Sequence, residues 1–231
     1  FKMKTGIEPK NFLDFVRTNI CADVVYINPF PQIPYFSFNV WMQGEAAHPG
    51  LIQRGQDLLQ AAGLSWRLSE LTRQKHDVVC YANFWLGSQN FWEEYVGGVL
   101  APIARYLEAN SDSAISRAVL QQTSHTDPAP YLPFIIERLF STYLSVMPGV
   151  SRAAWCFTPD QVLERCVNKY ERNLVERMRI RVHEADELDV FPDGLKAEMQ
   201  LLCEEWSQQF WEYFSIHHHP HTNRTIKLPT R

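Results

Sequence analysis

"PYLPFIIERLFSTYLS", residues 130–145, decides how the surrounding chain is read. Its Ile, Leu and Phe residues describe a helix buried inside a fold, yet Glu137 and Arg138 stand side by side at its middle. A charge taken out of water without a partner is costly, so two of them in an apolar setting demand a reason. Either they form an ion pair at the edge of a core, or they are chemistry. Helix neighbours lie about 100° apart around the axis. One of the two can therefore face a ligand while the other meets an opposite charge.

Upstream of this helix the pattern alternates. "PKNFLDFVRTN" (9–19) opens with Pro at a first helical position and sets Phe12, Phe15 and Val16 on one face, predicting a helix. "CADVVYINPFP" (21–31) is a β-branched and aromatic run closed by Asn28-Pro29, predicting a buried strand and a turn. "FNVWMQGEAAHPG" (38–50) reads as an aromatic loop. "HPGLIQRGQDLLQAAG" (48–63) predicts a helix with Leu51, Leu58 and Leu59 inward and Gly63 as its stop. "HDVVCYANFWLG" (76–87) predicts a second strand, and "SQNFWEEYVGGVLAPIARYLEAN" (88–110) a helix capped by Ser88 and broken near Gly97-Gly98. Such alternation is the grammar of an α/β fold with a mostly parallel sheet covered by helices. Residues 109–130, rich in Ser, Thr, Asp and Pro, predict a long surface loop with a short helix inside, a form used for lids and binding loops.

Downstream the chain turns helical. "TPDQ" (158–161) is a capping box, and the helix after it spaces Leu163, Val167, Tyr170, Leu174 and Met178 at intervals of three and four. Arg165, Lys169, Arg172, Arg177, Arg179 and Arg181 fall mainly elsewhere, mixed with Glu164, Glu171 and Glu176. Mixed charge of this kind describes a solvated, ion-paired face, with phosphate binding by one or two arginines as the alternative. Asp193-Gly194 predicts a turn into a last helix, "LKAEMQLLCEEWSQQFWEYF". The expected organisation is an α/β domain over 1–150 and a helical extension over 151–231 packed on it.

The totals exclude several classes. A chain of 231 residues, 45% hydrophobic and 21% charged, can bury a sizeable core. A net charge of −4 with pI about 6.1 argues against nucleic-acid binding through a basic face. The five cysteines (Cys21, Cys80, Cys156, Cys166 and Cys203) are odd in number and never spaced CxxC, which predicts reduced thiols in a cytosolic setting. No apolar run approaches the roughly 20 residues that span a bilayer. The chain opens at Phe1, so an N-terminal part is expected to precede it.

Candidate site residues come from strand ends, because ligands of α/β sheets collect beyond the carboxyl ends of strands. The first strand delivers Asn28, and the loop after it carries Trp41, Gln43, Glu45 and His48. Hydrogen-bonding groups beside an aromatic face suit a sugar ring; a wet loop sealing the sheet is the alternative. The second strand ends with Asn83 and Trp85, on one side by strand alternation. A packed Trp with a capping Asn is the alternative there. "GSQNF" lacks the glycines and lysine of a phosphate loop, and neither GxSxG nor HExxH occurs. "HHHPH" (217–221) reads as an exposed polar tract rather than a metal site.

"YANFWLGSQNFWEEYVGGVLAPIARYLEANSD" (81–112), a variable loop and then "PYLPFIIERLFSTYLS" together resemble bacterial capsule and exopolysaccharide glycosyltransferase-like domains, with "IERLFSTYL" the most specific part. "DVVYINPFP" and "NVWMQGEAAHPGL" also look like segments of polysaccharide-biosynthesis proteins, and the resemblance covers roughly residues 20–145. It implies a GT-A-like α/β fold taking a nucleotide-sugar donor and a glycan acceptor, on the cytosolic side of an envelope pathway, with peripheral membrane association in keeping. Glu137 is then the candidate base and Arg138 the candidate diphosphate ligand, with Asn28, Trp41, Gln43, Glu45, His48, Asn83 and Trp85 around the sugars. Such transferases hold the diphosphate through a divalent metal, Mn or Mg, on an Asp-x-Asp motif. Here the only similar text is Asp112 in "SDS" and "DELD" at 186–189, neither after a strand. The rival reading is a non-catalytic carbohydrate-binding or assembly module that docks a partner through its C-terminal helices. A hydrolase with paired carboxylates has less support, since no second acid is well placed.

Overall fold

The computed structural model describes residues 1–123, 129–218 and Thr225. In chain order the elements are α1 (Lys2–Thr5), α2 (Pro9–Thr18), β1 (Val24–Tyr26), α3 (Val40–Ala47), α4 (Leu51–Ala61), β2 (Trp85–Gly87), α5 (Gln89–Phe91), α6 (Ala101–Ala109), α7 (Ala114–Leu120), β3 (Gln122–Thr123), β4 (Ala129–Pro130), α8 (Tyr131–Val146), β5 (Arg152–Ala154), α9 (Pro159–Arg165), α10 (Lys169–Glu187) and α11 (Asp193–Ile216). A π-helical stretch, Trp92–Leu100, joins α5 to α6. Among the described residues the fold is α/β and 62% helical, with a small mixed sheet of three strands.

That sheet has the order β2-β1-β5, with β1 antiparallel to β2 and parallel to β5. All three residues of β1 are buried, as the unbroken Val-Val-Tyr run predicts. Among the described residues a mostly parallel GT-A-like sheet is not found, for two local reasons. Within 76–87 only Trp85–Gly87 pairs, because Ala82 and Asn83 take left-handed backbone (φ 61° and 52°) that no strand accommodates. The third strand comes instead from 152–154, inside the stretch expected to be helical, so a division at residue 150 cuts the sheet.

Other expectations are corrected in the same way. The stretch 38–50 holds helix α3, started by Asn39, whose Oδ1 accepts from the Trp41 and Met42 amides at 3.1 and 2.9 Å. Gly97-Gly98 does not break its helix; the backbone widens into π geometry instead. The Thr158–Gln161 capping box forms as read, but the helix it starts stops at Arg165, and Asn168 caps a new one. Asp193-Gly194 is the first pair of α11 rather than a turn. Leu51, Leu58, Leu59 and the Ser88 cap stand as read. All five cysteines are free.

Helix α8 runs through the middle, packing against α3, α4, α7 and the π-helical stretch. It is apolar nearly all round, and its polar side chains fasten neighbours to it. Thr142 Oγ1 accepts from Trp41 Nε1 at 2.8 Å, and Ser141 Oγ accepts from the Cys80 amide at 2.9 Å. The irregular chain between α4 and β2 crosses this interior, where an unpaired backbone group would be costly. Gln74 ties it in: its amide donates to Phe38 O at 3.0 Å, its Oε1 accepts from the Val40 amide at 2.9 Å, and its Nε2 donates to Ser141 O and Ser145 Oγ.

A second buried tie joins the C-terminal helices to the loop after β1. Glu171 is buried and accepts from Trp206 Nε1 (3.0 Å), Gln32 Nε2 (3.3 Å) and the Val167 amide (2.6 Å). Burial outweighs these bonds and raises its pKa above the ordinary carboxylate value. The native state therefore holds this proton more tightly than the unfolded chain. The stability contributed is complete in acid and is lost as pH rises from the ordinary carboxylate range through the raised native value. Glu171→Gln removes the titration, so the stability of wild type relative to this variant is expected to fall as pH rises through that window. Urea melts across pH check it; a difference independent of pH counts against the buried charge.

Candidate functional site

The carboxyl end of β1 gathers three of the candidate residues. Past Tyr26, the Ile27 amide donates to Phe84 O at 3.0 Å, which sets the Tyr81–Phe84 turn beside Asn28. Asn28 closes its own turn, accepting from the Phe30 amide and donating to Phe30 O, both at 3.1 Å. Across from it, Glu137 Oε1 accepts from the Ala82 amide at 2.7 Å. That bond holds a turn in which two successive non-glycine residues occupy left-handed backbone, a conformation costing roughly 1 kcal/mol or more per residue. Asn83, at its tip, is exposed.

Glu137 is partly open to solvent, its side chain 25% exposed, and its Oε2 lies 3.6 Å from Arg138 Nη1. The arginine itself is 2% exposed. Its Nε donates to Val40 O (2.9 Å), Nη1 to Phe134 O (2.9 Å) and Nη2 to Gln43 Oε1 (2.6 Å). Gly44 makes the approach possible, since a Cβ there would collide with Arg138 Nε and Leu51. The diphosphate role expected of Arg138 meets a buried side chain whose three nitrogens each donate to the protein.

The remaining candidates also have structural partners. Trp41 is buried on Gly55 and bonded to Thr142, and Gln43 is the arginine's acceptor. Glu45 accepts from the Gly50 and Ile52 amides and so caps α4. His48 is buried, stacked on Phe134 with ring centroids 3.9 Å apart, its Nδ1 3.3 Å from Thr123 Oγ1. Trp85 packs among Phe91, Trp92, Tyr95 and Phe140, stacking on Phe140 at 5.7 Å. Strand alternation does not put Asn83 beside it, because Asn83 stands in the turn. Two buried atoms missed by the sequence reading, Tyr81 Oη and Gln32 Oε1, have no hydrogen-bond partner among the described residues. Gln32, a polar residue inside "NPFPQIPYF", was the available signal.

The residues present do not fit an Asp-x-Asp metal site. Asp186 is clamped by Arg73 at 3.0 Å, and Asp189 pairs with Lys75 at 2.9 Å. Asp112 lies in the turn before α7, its carbonyl accepting from Arg117. Among the described residues no group of three or more His, Cys, Asp or Glu is placed to hold an ion, and no helix is long and apolar enough to cross a membrane. Of the 217–221 histidine tract, 219–221 lie outside the described residues, and the His217 ring packs on Tyr213 at 4.3 Å.

Compared with known protein families, curated proteins and solved structures, the chain gives no match.

Arg138→Met would leave Val40 O and Gln43 without their donor and Glu137 without its nearest cation. A loss of about 3–5 kcal/mol is expected, read as a lower urea midpoint. Glu137→Gln keeps an acceptor for the Ala82 amide, so its melting temperature should stay within a few degrees of wild type. A loss for Arg138→Met as small as that for Glu137→Gln would contradict the structural assignment.

Proposed function

We propose that the chain binds a nucleotide sugar at the carboxyl end of β1 and transfers the sugar to a glycan acceptor, as a glycosyltransferase of bacterial surface-polysaccharide type. The observation that carries this reading is the Glu137 carboxylate. It is partly solvent-facing and fixed by the Ala82 amide, at a strand end where α/β folds collect ligands. Glu137 Oε2 is the general base that takes the proton of the acceptor hydroxyl as the new glycosidic bond forms. The leaving nucleoside diphosphate departs with the bonding electrons. Arg138 is a positioning residue behind it, and Asn83 offers its exposed amide to the ligand. Resemblance of "IERLFSTYL" to capsule and exopolysaccharide glycosyltransferase-like domains supports the same class.

One observation favours a second reading. Arg138 is buried and turned onto the protein, which removes from this end the guanidinium expected to grip a diphosphate. A carbohydrate-binding module would need none.

Calorimetric titration with UDP-, GDP- and CMP-sugars separates the two. Saturable binding of one nucleotide sugar, weakened about fivefold or more by Asn83→Ala, the worth of one or two hydrogen bonds, is expected. Glu137→Gln should then bind the donor but give no transfer. Glycan binding with no response to any nucleotide would establish the module instead.

A further inference from the structure

Away from the sheet end, a cleft of about 490 Å³ opens between the segment 69–75 and the turn from α10 to α11. It shares no lining residue with the sheet end, and its size falls within the range of about 300–1,000 Å³ typical of small-molecule sites. Phe38, Leu71 and Phe191 give it an apolar wall, with the Phe38 and Phe191 rings edge to face at 5.2 Å.

Its charges sort into tied and untied. Arg73 donates to both oxygens of Asp186 (3.0 Å each) and to Ser37 O, Phe38 O and Pro34 O, so every donor is in use. Lys75 donates to Asp186 O at 2.6 Å and pairs with Asp189, holding that carboxyl below its usual pKa. Asp189 sits in left-handed backbone (φ 52°), a strain that persists only where surroundings enforce it. Glu70 faces Arg67 at 3.7 Å. These pairs cancel in charge, and the buried Arg73–Asp186 pair holds one wall in place. What remains is Lys196: its Nζ lies 4.6 Å from the Phe38 ring centroid and makes no ion pair or hydrogen bond among the described residues. The Ser69 and Thr72 hydroxyls on the lining likewise make no hydrogen bond to another described residue. One unmatched cation and two hydroxyls beside an aromatic wall complement an anion with an apolar body.

We propose that this cleft binds a small organic anion, with a carboxylate or phosphate ester group at Lys196 and an apolar body against Phe38, Leu71 and Phe191. The pre-tied walls lower the ordering cost of binding. The site stands whether or not the sheet end binds a nucleotide sugar.

The test is a nuclear magnetic resonance titration of the isotope-labelled chain with phenyl phosphate, benzoate, benzyl alcohol and inorganic phosphate at millimolar concentration. Saturable shifts within 69–75 and 185–196 are expected for phenyl phosphate or benzoate, and the stronger of the two identifies the head group. Lys196→Met, an exposed substitution that spares the fold, should weaken that binding about three- to fivefold, the worth of one exposed ion pair. An equal response to benzyl alcohol or to inorganic phosphate, unchanged affinity in Lys196→Met, or no shift in these segments with either organic anion overturns the proposal.

Discussion

The Arg138 guanidinium is the constraint on which the middle of this fold depends. It sits inside the helix–helix contact of α8 and α3 and gives a donor to each side of it: Phe134 O on its own helix, Val40 O and Gln43 on the other. A buried cation tolerates few arrangements, because each unmet donor carries a desolvation cost. So α3 must start at Val40, Gln43 must turn inward, and residue 44 must lack a side chain. Glu137 then serves two neighbours at once, as the nearest anion to that cation and as the acceptor that fixes the Tyr81–Phe84 turn.

This arrangement explains which parts of the sequence could be read. The charged pair inside an apolar helix announced itself as something needing partners, and it has them. Caps and stops were legible because their chemistry is local: Ser88, Thr158 with Gln161, and Gly63 each act within a few residues. The mixed sheet was not, since three-residue strands have too little length for period-two alternation to register. Arg152-Ala-Ala carries no strand signal of its own and is held by pairing with β1.

Helix α3 failed to show for a related reason. Buried on most sides, "VWMQGEAA" offers no polar face for a 3.6-residue period to stand out against. Its Trp, Gln, Glu and His had the composition of a sugar-binding loop. The same residues instead bond Thr142, receive Arg138, cap α4 and stack on Phe134. Composition alone cannot separate these outcomes, because a polar side chain in a core and one in a binding loop need the same donors and acceptors.

What separates them is a count of satisfied groups. Arg73 has all five N–H donors bonded to the protein, and Arg138, bonded through each of its three nitrogens, is 2% exposed, so neither is open to a ligand, however cationic the surroundings look. Glu137 Oε2 and Lys196 Nζ are different. Both belong to partly exposed or exposed side chains, Oε2 lying 3.6 Å from the buried Arg138 and Nζ over the Phe38 ring. A charge can act on a bound molecule only if it retains bonding capacity and its position is fixed by other groups. In this chain the Ala82 amide fixes the carboxylate, the Phe38 ring flanks the ammonium, and both charges keep the capacity.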